Sequence, residues 1–151
     1  MSSVSLFNTL SKSKEQFSLP SHARTVRMYN CGPTVYGRQH IGNLSMFVFA
    51  DVLRRTLEHA GYDIKQVINI TDVGHLTSDG DEGEDKMTKG LKREKLKPTL
   101  ENMRLLAERY TAVFLEDITA LNVDPSRIEF PRASDHVGGM IAMITTLLEK
   151  G

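Results

Sequence analysis

One short segment constrains this chain more than any other: Cys31-Gly32-Pro33-Thr34-Val35-Tyr36, followed by His40-Ile41-Gly42-Asn43. The segment follows a strand-like run, Thr25–Asn30, and opens a long amphipathic run, Leu44–Ala60. A thiol, a glycine–proline turn and a His-x-Gly-x segment therefore lie between a strand and a helix. In an open α/β sheet, this junction is where phosphates and their nucleosides bind. The sequence thus predicts a nucleotide site at this turn.

The runs on either side of the turn predict a strand, a helix and a second strand. The amphipathic run ends at Gly61, a residue type suited to the left-handed backbone just after a helix. The second strand is predicted over Ile64–Ile70. Its expected buried positions are Val67, Ile68 and Ile70. The inward face of the helix is expected to comprise Phe47, Ala50 or Asp51, Leu53 or Arg54, and Leu57. This order predicts a right-handed βαβ unit and therefore a parallel sheet.

Two other segments carry little apolar content. Residues 1–24 are rich in serine and lysine, and we expect them to form an arm or a short edge strand on the body. Thr71–Lys97 holds five acidic residues within Asp79–Asp85 and few apolar side chains. Because such a segment buries too little surface to offset its ordering entropy, we expect a mobile surface loop over residues 71–97 with a short helical tail.

The last third of the chain predicts helices. Pro98-Thr99 is typical of a helix start, and an apolar stripe at three- and four-residue steps extends to Leu121. A proline-containing connection follows, and Ser134 is expected to cap a last helix that ends at Gly151. With 151 residues, the chain is predicted to form one domain over residues 1–151.

Composition excludes several classes of protein. Nineteen basic and nineteen acidic side chains cancel, so no global field attracts nucleic acid. A single cysteine excludes an internal disulfide and an all-cysteine metal site, and it fits a cytoplasmic location. Residues 1–10 lack the pattern of a secretory signal, and no apolar run approaches the roughly 20 residues of a membrane helix, so no membrane partner is expected.

The His-x-Gly-x segment fits triphosphate chemistry. A helix N-terminus presents unpaired N–H groups and partial positive charge to phosphate oxygens. Gly42 lets a flat ligand such as adenine approach the backbone, and His40 can donate a hydrogen bond to charge that develops on the phosphates. The structural alternative is that His40 only caps the turn.

The segment Met28–Tyr36 together with His40–Asn43 resembles the HIGH region of cysteinyl-tRNA synthetases, a family of class I aminoacyl-tRNA synthetases. Three more segments agree with that family, and the likeness extends over nearly the whole chain. They are Leu6–Leu10, Asn69–Val73 and Phe130–His136. The resemblance implies the first half of a Rossmann-like, class I nucleotide-binding domain with a parallel sheet, followed by α-helices.

The resemblance also implies roles for individual residues. Cys31 would be a zinc ligand and, with Gly32 and Thr71, would contact the cysteine substrate; a soft metal prefers sulfur and so rejects serine. His40 and Asn43 would be catalytic, with Asn43 at a position where many class I enzymes have a second histidine. The expected ATP-binding set is Gly32, Pro33, Thr34, His40, Gly42 and Asn43, with magnesium accompanying ATP. Without the resemblance, the sequence would favour a buried, inert cysteine at Cys31.

The chain also departs from the family pattern. The family takes its other zinc ligands and its KMSKS loop from later sequence, so we expect an incomplete zinc site and poor activity of these 151 residues alone. Lys86–Gly90 imitates the KMSKS loop, but it lies in the wrong half of the fold. The expected function is ATP-dependent activation of cysteine and its transfer to tRNA, by a monomer. Two alternatives remain open: a small nucleotidyltransferase of the same superfamily, and a non-catalytic synthetase-like binding module.

Overall fold

The computed structural model describes residues 3–73 and 85–151. Within them, a parallel sheet has the strand order β3 (Thr25–Asn30), β4 (Asp63–Ile68) and β5 (Ile128–Glu129). Helix α1 (Ile41–His59) connects β3 to β4, which confirms the predicted βαβ unit and the α/β class. The turn that follows β3 therefore lies at the carboxyl edge of the sheet and runs into the start of α1.

Helix α1 begins three residues before the predicted start and ends where Gly61 was expected to stop it. Gly61 has a φ of 92°, the left-handed conformation in which glycine is favoured. The inward face contains two charged residues, Asp51 and Arg54, which are 5% and 3% exposed. Arg54 pairs with Asp51 and also with Glu58, at 3.1 Å, and these contacts compensate the buried charges.

The core lies on one face of the parallel sheet, between the sheet and two helices. Alternate residues of β3 and β4, such as Met28 and Ile68, point to this face and are buried. Helix α1 meets α3 (Leu100–Ala120) there, with the rings of Phe47 and Phe114 in edge contact at a centroid distance of 4.9 Å. Thr99 caps α3 by accepting a hydrogen bond from the Asn102 N–H, which confirms the predicted start.

The predicted burial pattern of β4 is wrong at one position. Ile68 and Ile70 are buried as expected, but Val67 is only half-buried, and Gln66 is 2% exposed instead. Side chains alternate along a strand, so Val67 shares the opposite face with β3 residues such as Tyr29, which is 68% exposed. No helix of the described residues covers that face to the same degree.

The amino-terminal arm is more structured than predicted. Strands β1 (Ser5–Asn8) and β2 (Ser13–Gln16) form an antiparallel hairpin that is separate from the parallel sheet. The next residue, Phe17, packs edge-on against Tyr62 with ring centroids 5.3 Å apart, and the Tyr62 hydroxyl donates to the Phe17 carbonyl at 3.3 Å. This contact attaches the hairpin to the body.

The second half of the Thr71–Lys97 segment contains a short helix, which agrees with the expected helical tail and not with a loop throughout. Helix α2 (Lys86–Arg93) buries Met87 and Leu91, each 1% exposed, against α3. These two apolar residues are four positions apart, so they lie on the same face of the helix and pack it against α3, although most of its other residues are charged or polar. Residues 74–84 of the predicted loop lie outside the described residues.

The predicted cap of the last helix is also wrong. Ser134 lies in a 3-10 turn (Ala133–His136), and α4 (Val137–Lys150) begins after it. The Ser134 hydroxyl donates instead to the buried carboxylate of Asp72 at 2.6 Å, and its N–H donates at 2.9 Å. Every residue of α4 is exposed. Within the described residues, no helix has both the length and the apolar content needed to cross a membrane.

Candidate active site

A cavity of about 500 Å³ opens at the carboxyl end of β3. Cys31 and His40 both line it, so the turn and the helix start share one space, as the sequence predicts. Its wall includes all but one of the site residues expected from the sequence. The residues lining the cavity are Cys31, Gly32, Pro33, Thr34, Tyr36, Gly37, Arg38, Gln39, His40, Gly42, Asn43, Met46, Phe47, Lys86 and Arg93.

His40 caps α1 through one ring nitrogen. Its Nδ1 accepts hydrogen bonds from the N–H groups of Gly42 at 3.0 Å and Asn43 at 3.3 Å. An accepting Nδ1 carries no proton, so the neutral ring carries its proton on Nε2, on the other side of the imidazole. The capping interpretation and the phosphate-binding interpretation are therefore compatible: Nδ1 holds the helix start, and Nε2 is left available as a donor on a residue that lines the cavity.

Gly42 keeps room for that ring. A Cβ atom at this position would lie 3.0 Å from Cε1 and 3.1 Å from Nδ1 of His40, closer than side chains normally pack. Any larger residue would therefore push the imidazole out of its capping position or narrow the cavity. Asn43 is exposed on the cavity wall, where its backbone N–H is already used by His40.

The glycine–proline turn is attached to the segment that follows β4. The N–H of Thr71 donates to the Pro33 carbonyl at 3.0 Å, and the Val35 N–H donates to the Thr71 carbonyl at 3.1 Å. A Cβ on Gly32 would lie 1.5 Å from the carbonyl oxygen of Asn69, so only glycine fits there. Thr71 itself lies behind the turn and is not among the residues lining the cavity, so its predicted contact with substrate stays a prediction.

The cavity wall is basic. Arg38, Lys86 and Arg93 join His40 on it, and no aspartate or glutamate of the described residues lines it. Arg38 pairs with Asp117 of α3 through two nitrogen–oxygen contacts of 2.5 and 3.0 Å. The hydrogen bond to Asp117 raises the pKa of Arg38 above its ordinary value. A wall of this sign attracts a polyanion such as a triphosphate.

The sequence analysis does not count Lys86 and Arg93 as site residues: it sets Lys86–Gly90 aside as an imitation of the KMSKS loop, and it places Arg93 in the predicted loop segment. The signal that would have found them is the pair Met87 and Leu91, whose spacing indicates a short helix. Arg93 also donates to the Tyr36 carbonyl, and this bond attaches α2 to the turn.

Cys31 is exposed, which excludes the buried, inert alternative. Its Sγ lies 3.8 Å from the Gly32 carbonyl oxygen. A structural zinc site needs four donors, and catalytic sites supply at least three from the protein. Among residues 3–73 and 85–151, no three His, Cys, Asp or Glu side chains come together to hold a metal. The described donors therefore do not make up a complete zinc site.

Comparison with known proteins decides the family. The family model of the class I (C) tRNA synthetase catalytic domain matches residues 17–151. The chain belongs to this family. It is 50% identical over 148 residues to cysteine–tRNA ligase 1 of Burkholderia lata, covering 98% of this chain and 30% of the relative. Identity to the cysteine–tRNA ligase of Treponema denticola is 46% over 149 residues, covering 99% and 29%.

The ligase of Chlorobium chlorochromatii is 44% identical over 148 residues, which cover 98% of this chain and 29% of the relative. The chain thus spans about 30% of the length of the curated relatives that it matches. These matches confirm the family resemblance and the Rossmann-like class, and they remove the support for a small nucleotidyltransferase.

Proposed function

We propose that this chain forms the ATP- and cysteine-binding part of a cysteine–tRNA ligase, which activates cysteine with ATP and transfers it to tRNA. The observation that supports the proposal best is the shared cavity, which is lined by Cys31, by His40 and the first residues of α1, and by basic side chains. The similarity to cysteine–tRNA ligases supplies the substrate class.

The proposed chemistry needs position and charge stabilisation more than a nucleophilic side chain. The carboxylate of cysteine attacks the α-phosphorus of ATP, and the bond to the leaving pyrophosphate breaks. His40 Nε2–H would donate to oxygens that gain negative charge in this step, and the positive end of the α1 dipole would stabilise the same charge. Gly42 would admit the adenine ring, and Gly32, Pro33, Thr34 and Asn43 would line the ATP site.

The metal requirements follow from the donors present. Cys31 would supply one thiolate ligand to zinc, and because the described residues bring no three donors together, the site would need ligands from outside them. Because no carboxylate of the described residues lines the cavity, magnesium would enter with the ATP phosphates. The tRNA partner, the monomeric state and the cytoplasmic location stay predictions from the sequence.

ATP–pyrophosphate exchange tests this function. The complete polypeptide that carries these residues should exchange pyrophosphate into ATP when cysteine is added, and serine should not replace cysteine. Exchange with a phosphopantetheine or mononucleotide acceptor in place of cysteine would support the nucleotidyltransferase instead. Binding of ATP without any amino-acid-dependent exchange would favour the non-catalytic binding module.

A further inference from the structure

We infer that Gln66 and Asn69 are positioning residues for the segment around Cys31, Asn69 through the Gly32 backbone and Gln66 through the Asn30 side chain; the inference rests on the proposed function. Gln66 Nε2 donates to Asn30 Oδ1 at 2.9 Å. The Gly32 N–H donates to Asn69 Oδ1, also at 2.9 Å. The residues before and after the thiol are thus each held by a side-chain amide from β4 or from the residue after it. We call these two contacts the amide clamps.

The thiol depends on its neighbours for its position. Cys31 is exposed, and its Sγ has a weak contact of 3.8 Å to the carbonyl of Gly32. Glycine has wide backbone freedom, and the bonds to Thr71 hold only the turn beyond it, so the sulfur would be less restrained if the Gly32 N–H were not held. Asn69 removes that freedom, and it is itself oriented by a 2.9 Å hydrogen bond from its Nδ2 to Thr71 Oγ1.

Gln66 indicates that this position is maintained at some cost in stability. Its side chain is 2% exposed, and its Oε1 is buried without a hydrogen-bond partner among the described residues. A buried oxygen without a partner is destabilising, so an apolar side chain of similar volume would suit this face of β4 better. What the Gln66 amide provides, and an apolar side chain would not, is the hydrogen bond to Asn30.

Three variants of the complete polypeptide test the inference by ATP–pyrophosphate exchange. Asn69→Ala and Gln66→Met should each raise the KM for cysteine about tenfold, since one hydrogen bond has that worth. The KM for ATP should rise by clearly less, because Cys31 is assigned to the cysteine substrate alone whereas Gly32 is only one of several residues lining the proposed ATP site. Asn69→Asp should restore the cysteine KM, because a carboxylate oxygen can still accept from Gly32. Asn102→Ala is the matched control: its amide donates to the Lys97 carbonyl at the start of α3, and it does not line the cavity.

Two further measurements separate a positioning role from a structural one. Gln66→Met should keep or raise the Tm while it raises the cysteine KM, a combination that loss of folding cannot produce. Hydrogen exchange at the Gly32 amide should accelerate about tenfold or more in Asn69→Ala and stay slow in Asn69→Asp.

Several results would overturn the inference. They are equal increases in both KM values, an Asn69→Asp variant as impaired as Asn69→Ala, or an unchanged cysteine KM after Gly32 loses its protection. If the unsubstituted protein shows no cysteine-dependent exchange, the proposed function fails and the inference fails with it. Slow hydrogen exchange at the Gly32 amide would then show that the amide clamp at Gly32 exists even though the protein does not activate cysteine. This measurement distinguishes failure of the proposed function from failure of the clamp itself.

Discussion

The two nitrogens of His40 separate helix capping from ligand binding. Nδ1 accepts from two N–H groups at the start of α1: that of Gly42, and that of Asn43, which also donates to the His40 carbonyl at 3.0 Å. A cap of this kind contributes about 1 kcal/mol to stability. Nε2 takes no part in the cap. Loss of the Nε2 donor should therefore lower the rate of the reaction without lowering the stability of the helix.

The substitution His40→Asn tests this separation. Asparagine caps helices well, so the free energy of unfolding should change by less than about 0.5 kcal/mol. The variant lacks the Nε2 donor, and cysteine-dependent exchange should fall about 100- to 1,000-fold, as when one oxyanion donor is removed. Urea denaturation and pyrophosphate exchange measure the two effects.

His40→Ala is the control for the cap. It removes both functions of the ring, and it should lose the same activity and about 1 kcal/mol of stability in addition. If His40→Asn kept nearly full exchange activity, His40 would be a cap alone.

At the scale of elements, helix α2 approaches the turn so closely at Gly90 that no side chain would fit at that position. A Cβ on Gly90 would lie 2.8 Å from the Tyr36 carbonyl oxygen and 2.9 Å from Leu106 Cδ2. The glycine therefore lets α2 lie against both the turn and α3. Its position brings Lys86 and Arg93, at the two ends of α2, to the cavity wall.

The substitution Gly90→Ala has two opposing effects: it raises helix propensity, and it places a Cβ where α2 contacts the turn and α3. Propensity alone predicts a gain of up to about 1 kcal/mol. Because the Tyr36 carbonyl is backbone and cannot move aside cheaply, we expect a net loss of about 1–3 kcal/mol, as in other overpacked sites. Thermal unfolding measures the change, and the KM for ATP should rise because the basic wall is displaced.

Gly138→Ala is the matched control in α4. Nothing lies within 4 Å of a Cβ at that position, so the propensity gain should act alone and the Tm should not fall. A Gly90→Ala variant as stable as Gly138→Ala would show that α2 can move away from the turn without cost.

The elements differ in how far the sequence predicts them. The strand β3 and the helices α1 and α3 have regularly spaced apolar residues that are buried in the core. Their apolar pattern is therefore sufficient to predict them. Helix α2 and the hairpin of β1 and β2 are short and mostly polar; tertiary contacts through Met87 and Phe17 hold them. For α2, the spacing of Met87 and Leu91 indicates a short helix, but where that helix packs depends on contacts with distant parts of the chain. For the hairpin, the contact of Phe17 with Tyr62 joins residues distant in sequence, and no local pattern contains it.

The candidate site shows the same division. Cys31, His40 and Gly42 belong to one continuous segment and were predicted from it. Asn69 and Arg93 reach the turn from other elements, over 37 and 57 residues of chain. Asn69 could have been inferred, because it follows β4 directly and the carboxyl ends of neighbouring parallel strands lie together.

At the scale of the whole molecule, apolar surface is unevenly distributed. One face of the parallel sheet carries the core, whereas α4 leaves its apolar residues in solvent. Leu147 and Leu148 are 61% and 78% exposed, and Met143 is 67% exposed. Contiguous apolar surface of this kind is uncommon on a soluble monomer and binds apolar ligands.

Residues 1–151 produced alone should therefore bind the dye ANS with enhanced fluorescence while keeping a cooperative thermal transition. Replacing Ile144 and Leu148, four positions apart on α4, with lysine should remove at least half of the signal, since both are exposed. The Tm should change by no more than about 2 °C, because surface substitutions cost little. Leu10→Lys, in the hairpin turn and 93% exposed, should leave the fluorescence unchanged. A large fall in Tm on the α4 substitutions would instead mean that the helix packs against the body in solution.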